Sequence, residues 1–214
     1  MSVKEVAGIV LAAGSSTRMG SPKQLLRVGT QNLLDRALTQ ALQSGLHCVV
    51  LVLGFKAREV EQSLSQLNRQ HPKLCIILNE KYEEGISTSI IAGLDTLEQE
   101  YDHLMFLLAD MPHVTTTLIN SLIRAYLDSG LPLGAVRTAN RRTHPVIIRR
   151  QFFDDLRSLQ GDTGAKDLFL NHPHEVCFWE PKEAFDDMDI DTMNDYLEFK
   201  RSLNERLGNE SSKA

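Results

Sequence analysis

Gly14, Ser15, Ser16, Arg18 and Lys23 lie close together just after an apolar run, Val6–Leu11. The run reads as a buried strand, and the small residues occupy the turn at its end. Small side chains let backbone N–H groups approach an anion that bulky ones would keep away. Arg18 and Lys23 place two cations beside the same loop. Strand, small-residue loop and cations together make a cradle for a triphosphate. The loop is not a P-loop, because no Gly-Lys-Ser/Thr follows at the required spacing. Nor is it a Gly-x-Gly-x-x-Gly turn, since position 16 is Ser. A Gly-Ser turn alone would favour an ordinary strand-to-helix connection; Arg18 and Pro22-Lys23 favour phosphate binding.

Carboxylates supply the second chemical element. Asp110 follows the apolar stretch His103–Leu108 and precedes Met111-Pro112. Ligands of open α/β sheets bind beyond the carboxyl ends of strands, so Asp110 is placed to hold Mg²⁺ on a triphosphate. A loop cap is an equal reading of those residues alone. Met188-Asp-Ile-Asp-Thr192 alternates apolar and polar residues. An extended backbone there turns Ile190 to the core and Asp189 and Asp191 to the opposite face, where at least one would add a metal contact. Helix capping by Thr192 and its acidic neighbours competes with that role.

Asn79 offers a donor and an acceptor to a base edge. Gly85-Ile-Ser-Thr-Ser89 opens a helix with two small hydroxyls, Ser87 and Ser89, suited equally to capping and to ligand contact. His144 precedes Pro145 and is biased to extended backbone. Gly161-Asp-Thr-Gly164 reads as a capped turn before a helix that carries Lys166. His71, His113, His172 and His174 read as loop residues without partners, which supports neither a zinc site nor a triad.

The elements that must position these residues alternate. Strands are expected at Val6–Ala12, Cys48–Leu53, Leu74–Leu78 and His103–Leu108. Helices are expected at Leu33–Ser44 (closed by Gly45), Arg58–Leu67, Ile86–Leu97 and Thr115–Leu127. Beyond Gly130, strands Leu133–Arg137 and Pro145–Arg149 flank a polar loop, Thr138–His144. Short helices near Phe152–Ser158 and Ala165–Leu170, a strand Val176–Trp179 and a helix Thr192–Leu207 complete the chain. This rhythm predicts an α/β fold with a mostly parallel, mixed sheet.

The 214 residues suit one α/β domain with a full core. A net charge of −5 speaks against a nucleic-acid surface. The three cysteines lack metal-ligand spacing, and Cys48 and Cys75 lie in apolar runs as expected core residues. That sparse, odd count, with no apolar run of about 18 residues and no leader, predicts a cytoplasmic protein without membrane contact.

The blocks LAAGSSTRMGSPKQLL (Leu11–Leu26), NEKYEEGISTS (Asn79–Ser89), LLADMP (Leu107–Pro112), His144-Pro145-Val146, GDTGAK (Gly161–Lys166) and DIDT (Asp189–Thr192) run in order over nearly the whole chain. Together they resemble the MobA-like nucleotidyltransferases that act on the molybdenum cofactor, and most of all the cytidylyltransferase branch. The resemblance implies a three-layer, Rossmann-like nucleotidyltransferase domain over 1–207, followed by a disordered tail at 208–214. It implies Mg²⁺-dependent transfer of CMP from CTP to molybdopterin, a phosphorylated pterin, with pyrophosphate release. A molybdenum hydroxylase would receive the product.

On that resemblance Arg18, Lys23 and Asp110 carry the transfer. Leu11, Ala12, Ala13, Gly14, Ser15, Lys23, Asn79, Gly85, Ser87 and Ser89 bind the nucleotide. Asp110, Asp189 and Asp191 bind Mg²⁺, and His144, Asp162 and Lys166 bind the acceptor. Leu11-Ala-Ala-Gly14 resembles the cytidylyl rather than the guanylyl branch. Thr143 departs from the family, which usually carries Gly before His-Pro-Val. Guanylyl transfer to molybdopterin, and methylerythritol-phosphate or sugar-phosphate nucleotidyl transfer, belong to the same reaction class. LLADMP and His-Pro-Val weigh against the latter two. A non-catalytic cofactor-delivery factor or a regulatory nucleotide-binding module would not need Asp110.

Overall fold

In the computed structural model, residues 5–16, 19–182 and 185–211 are described, with side chains through Leu203. The apolar run Val6–Ala12 forms β1, buried along its whole length. Its neighbours β4 (Val49–Leu53) and β6 (His103–Leu108) run parallel to it, and β5 (Leu74–Leu78) extends the sheet beyond β4, also parallel. On the far side β8 (Arg141–Arg149) pairs antiparallel with β6 and with β7 (Leu133–Thr138), and β9 (Val176–Trp179) runs parallel to β7. The order is β5-β4-β1-β6-β8-β7-β9, and a hairpin of β2 (Arg27–Val28) and β3 (Gln31–Asn32) stands apart.

Helices cover both faces, which is why β1 and β4 are apolar without alternation. α1 (Leu33–Leu42) and α5 (Thr116–Ser129) pack Leu34, Leu38, Ile119 and Leu122 on Val10, Leu51 and Met105. α4 (Ile86–Leu97), α6 (Phe153–Arg157) and α7 (Lys166–Asn171) pack Ile90, Leu94, Leu156 and Phe169 on Ile9, Val50 and Phe106. Each such side chain contributes about 1.5–3 kcal/mol by leaving water. The result is the three-layer α/β arrangement with a mostly parallel mixed sheet that the sequence predicts.

A smaller cluster fixes the C-terminal segment. Ile190 and Phe199 pack on Val28 and Leu33, and Tyr196 Oη donates to the Arg27 carbonyl at 2.7 Å. α8 (Met193–Ser211) starts with a reciprocal cap. Thr192 Oγ1 accepts from the Asp195 N–H at 3.2 Å, and Asp195 accepts from the Thr192 N–H at 2.6 Å. The helix passes Gly208, where the sequence suggests a tail; residues 212–214 lie outside the described part.

The structure corrects several expectations. Arg58–Leu67 is not one helix but α2 (Ala57–Gln62) and α3 (Gln66–Arg69). Buried Asp35 of α1 accepts from the Ser65 N–H (2.9 Å), Ser65 Oγ (3.0 Å) and Asn68 Nδ2 (2.8 Å), and this tertiary network overrides the helical period. Thr138–His144 is not a loop. Ala139 and Asn140 take φ of 45° and 60°, a tight hairpin turn that starts β8 at Arg141. α1 ends at Leu42 with Gln43 as its C-cap, and Gly45 instead donates its N–H to Asn120 Oδ1 at 2.7 Å. Cys75 is exposed because β5 is an edge strand, and Cys48 is half-buried just ahead of β4. His113 and His172 do have carboxylate neighbours, Asp186 at 3.1 Å and Glu175 at 2.8 Å.

Candidate active site

β4 and β6 flank β1 on opposite sides, so the strand order reverses at β1. A crevice at such a point, beyond the carboxyl ends of the strands, is where open α/β sheets bind ligands. A cavity of about 360 Å³ lies there. Leu11–Ser15, Lys23, Gln24, Gly85, Ile86, Ser89, Leu108–Asp110 and Asp162 line it, with Tyr82 and Glu83 at one wall.

Buried Gln24 shapes the loop after β1, a role that the sequence reading missed. Its Nε2 donates to the Ala12 carbonyl at 2.9 Å and the Gly14 carbonyl at 3.2 Å. Ser16 holds φ 51°, costly for a residue with a Cβ, and its Oγ accepts from the Lys23 N–H at 3.1 Å. With the carbonyls drawn onto Gln24, the N–H groups of Gly14, Ser15 and Ser16 have no acceptor among the described residues. A Cβ on Gly14 would meet nothing within 4 Å, so the loop is open toward a ligand.

Gly85 brings a second loop to the cavity. It sits at φ 109°, and a Cβ there would fall 2.1 Å from the Gly161 carbonyl carbon. The Ser87 N–H donates to the Gly161 carbonyl at 3.1 Å, which seats Asp162 on the cavity wall.

Lys23 is the electrostatic centre. Its Nζ lies 2.6 Å from Asp110 Oδ2 and 2.7 Å from Asp191 Oδ1. Burial lowers the lysine pKa, but the two carboxylates more than offset it and hold the ammonium above the ordinary value. Asp110 Oδ1 is buried and has no hydrogen-bond partner. An orphaned carboxylate oxygen beside a second carboxylate suits a hard divalent cation. No cluster of three or more metal-ligating side chains occurs among the described residues. Phosphate oxygens and water would therefore complete the shell, as Mg²⁺ prefers.

The other expected residues divide. Of the acidic pair, Asp191 reaches Lys23 and Asp189 stays exposed, while buried Ile190 donates its N–H to the Asp110 carbonyl at 3.0 Å. Asn79 and Ser87 line a different cavity, not this one. Asn79 Nδ2 donates to Thr88 Oγ1 and Ser89 Oγ, both at 2.9 Å, and its Oδ1 accepts from the Lys81 N–H at 2.9 Å. It therefore clamps α4 to the end of β5, with both amide donors used inside the protein. Lys166 is exposed at the start of α7. Arg18 lies outside the described residues.

His144 lies where β8 bulges away from β7: Val136 pairs with Thr143 and Ala135 with Val146. It lines a small apolar cavity of about 40 Å³ with Leu11, Ile86, Phe106 and Leu108. Thr143, the departure from the family, pairs with Val136 on the opposite, α1/α5 face. His144 Nδ1 is buried without a partner. Burial and the Arg142 charge push its pKa down to about 4, from the ordinary 6.5. Between those values the unfolded chain binds the extra proton, so His144 removes stability as pH falls. The full penalty, about 3 kcal/mol at most, is reached below pH 4. Urea denaturation at pH 7 and pH 4.5 should therefore show a smaller acid-induced loss in His144→Gln than in wild type. Equal losses would mean that His144 titrates as in water.

Comparison with known proteins follows the same lines. Nicotine blue oxidoreductase of Paenarthrobacter nicotinovorans is 28% identical over 195 residues, 88% of this chain and 93% of that one. Molybdenum cofactor cytidylyltransferase of Escherichia coli (strain K12) is 25% identical over 199 residues, 92% and 96% of the two chains. The Rv0371c homologue from Mycobacterium sp. strain JC1 gives a TM-score of 0.81 at 29% identity, over 94% of this chain and 98% of that one. Rv0371c of Mycobacterium tuberculosis H37Rv, solved in complex with manganese, gives 0.76 at 25% identity, over 92% and 99%. Residues 8–176 match the family model of the MobA-like NTP transferase domain. The chain belongs to this family. It is thus an enzyme of the nucleotidyltransferase class, and the matched span holds the cradle loop, Lys23, Asp110 and His144 but not Asp191. Among the described residues, no helix of this MobA-like protein is long and apolar enough to cross a membrane.

Proposed function

We propose that the protein transfers CMP from CTP to the phosphate of molybdopterin and releases pyrophosphate. The observation that carries this reading is Lys23 clasped by Asp110 and Asp191 beneath an N–H-rich loop at the sheet's switch point. The name of the E. coli relative supports the choice of nucleotide and acceptor.

An oxygen of the acceptor phosphate attacks the α-phosphorus in line. The new P–O bond forms as the α–β bond breaks, and the electron pair leaves on pyrophosphate. A phosphate monoester is already ionised near neutral pH, so no general base is needed. The N–H groups of Gly14 and Ser15 and the Lys23 ammonium meet the charge that develops on the leaving group, and Arg18 adds to it. Asp110 and Asp191 would hold Mg²⁺, which when bound neutralises phosphate oxygens. Asp162, which lines the nucleotide cavity, His144 in the adjoining one and exposed Lys166 at the start of α7 are assigned to the acceptor.

Base choice is assigned to Ala13. A Cβ on Gly54 would lie 2.8 Å from the Ala13 Cβ, so the Ala13 methyl is braced at the cavity edge. One methyl contact discriminates by roughly 10–200-fold. Pyrophosphate release is to be measured with CTP, GTP, ATP and UTP, with and without molybdopterin. Acceptor-dependent release with CTP ahead of GTP is expected, with a smaller ratio in Ala13→Gly. A preference for GTP would overturn cytidylyl transfer, and release indifferent to the acceptor would overturn the acceptor.

A further inference from the structure

Among the described residues, Arg142 is a cation near the site with an aromatic neighbour and no ion-pair partner. It lies on β8, two residues before His144. Its guanidinium sits over the Phe169 ring of α7, 4.8 Å from the centroid. Among the described residues it has neither an ion pair nor a hydrogen-bond acceptor. Its neighbours differ. Arg141 pairs with Asp187 at 2.8 Å, and Arg137, opposite Arg142 across the hairpin, pairs with Glu180 at 2.5 Å. Burial pushes the Arg142 pKa below the ordinary value. A part-buried charge without a counter-ion gains when an anion arrives.

The position adds the second half. The small His144 cavity shares Leu11, Ile86 and Leu108 with the nucleotide cavity and reaches Gly164 and Ala165. Ala165 leads directly into α7, whose Phe169 supports Arg142. Nucleotide cavity, His144 and Arg142 therefore follow one another along a single face of the sheet. A guanidinium held over an aromatic ring without a carboxylate partner still offers its planar N–H fork for a bidentate contact with an oxyanion.

We infer that Arg142 is the specificity-determining residue that grips the phosphate monoester of the acceptor and presents it to the nucleotide. The inference rests on the transfer reading above. The test is fluorescence titration with 6-hydroxymethylpterin monophosphate and with the unphosphorylated alcohol, in the presence of Mg²⁺ and a non-hydrolysable CTP analogue. Arg142→Gln should weaken the phosphate by about tenfold or more, Arg142→Lys less, and neither should change the alcohol or the CTP analogue. A purely structural stack on Phe169 would weaken both pterins alike, together with thermal stability. That outcome, or wild-type affinity in Arg142→Gln, overturns the inference.

Glycerol 3-phosphate separates this inference from the proposed function. If it binds in an Arg142-dependent way while the pterin phosphate does not, Arg142 stands and the pterin acceptor falls. If Arg142-dependent binding occurs without CMP transfer, Arg142 stands and the transfer reading falls. If neither phosphate monoester binds wild type, the Arg142 inference falls whatever the transfer assay gives.

Discussion

Lys23→Ala is expected to lower CMP transfer by about 10²–10³-fold, the usual effect of removing one donor aimed at charge that develops in the transition state. The loss should appear in kcat more than in the CTP KM, because the loop N–H groups still bind the ground state. The substitution has a structural side as well. Lys23 is part-buried between Asp110 and Asp191, so its removal leaves two carboxylates facing each other at 18% and 43% side-chain exposure. Solvent screens Asp191, and the effect on stability should be a modest fall in melting temperature. Added Mg²⁺ should recover part of that fall but little of the rate. Near-wild-type turnover in Lys23→Ala would remove the cradle from the account.

Asp110→Asn is expected to reduce Mg²⁺-dependent transfer by a similar factor. The amide keeps the shape of the side chain. It replaces one anionic oxygen with a donor that points at Lys23 or at the metal position. Nucleotide binding should survive, since the N–H groups of the loop after β1 do not depend on Asp110. Calorimetric titration of CTP should then give an affinity that no longer rises with Mg²⁺. In wild type, chelation of divalent ions should produce the same flattening. An Asp110→Asn protein whose CTP affinity still follows Mg²⁺ would place the cation elsewhere.

The elements that carry these residues were legible because burial on both faces writes itself into sequence as unbroken apolar runs. β1, β4 and β6 read directly, and with them the loop after Ala12 and the position of Asp110. Alternation in Met188–Thr192 correctly turned Ile190 inward, but it treated Asp189 and Asp191 as equivalent. The tertiary clasp on Lys23 separates them, and nothing local to that segment encodes it. Gln24 and Asp35 were invisible for the same reason. Each is a polar residue whose role is to satisfy groups far away in sequence, the Ala12 and Gly14 carbonyls in one case and Ser65 and Asn68 in the other. Asn79 shows the reverse case. Its chemistry suits a base edge, yet its donors and acceptor are already used inside the protein. The turn at Ala139-Asn140 lacks the glycine that marks such hairpins, so the sequence pattern starts β8 only at Pro145.

The path of the α-phosphorus tests the central claim most directly. CTP labelled with ³²P at the α-position is to be incubated with molybdopterin and Mg²⁺, in parallel with CTP labelled at the γ-position. The account predicts that α-label enters the acceptor in step with pyrophosphate release, while γ-label leaves only in pyrophosphate. It also predicts that both signals fall together, by the same factor, in Lys23→Ala. Label from the γ-position on the acceptor, or CTP consumed with no acceptor-bound label, would contradict it.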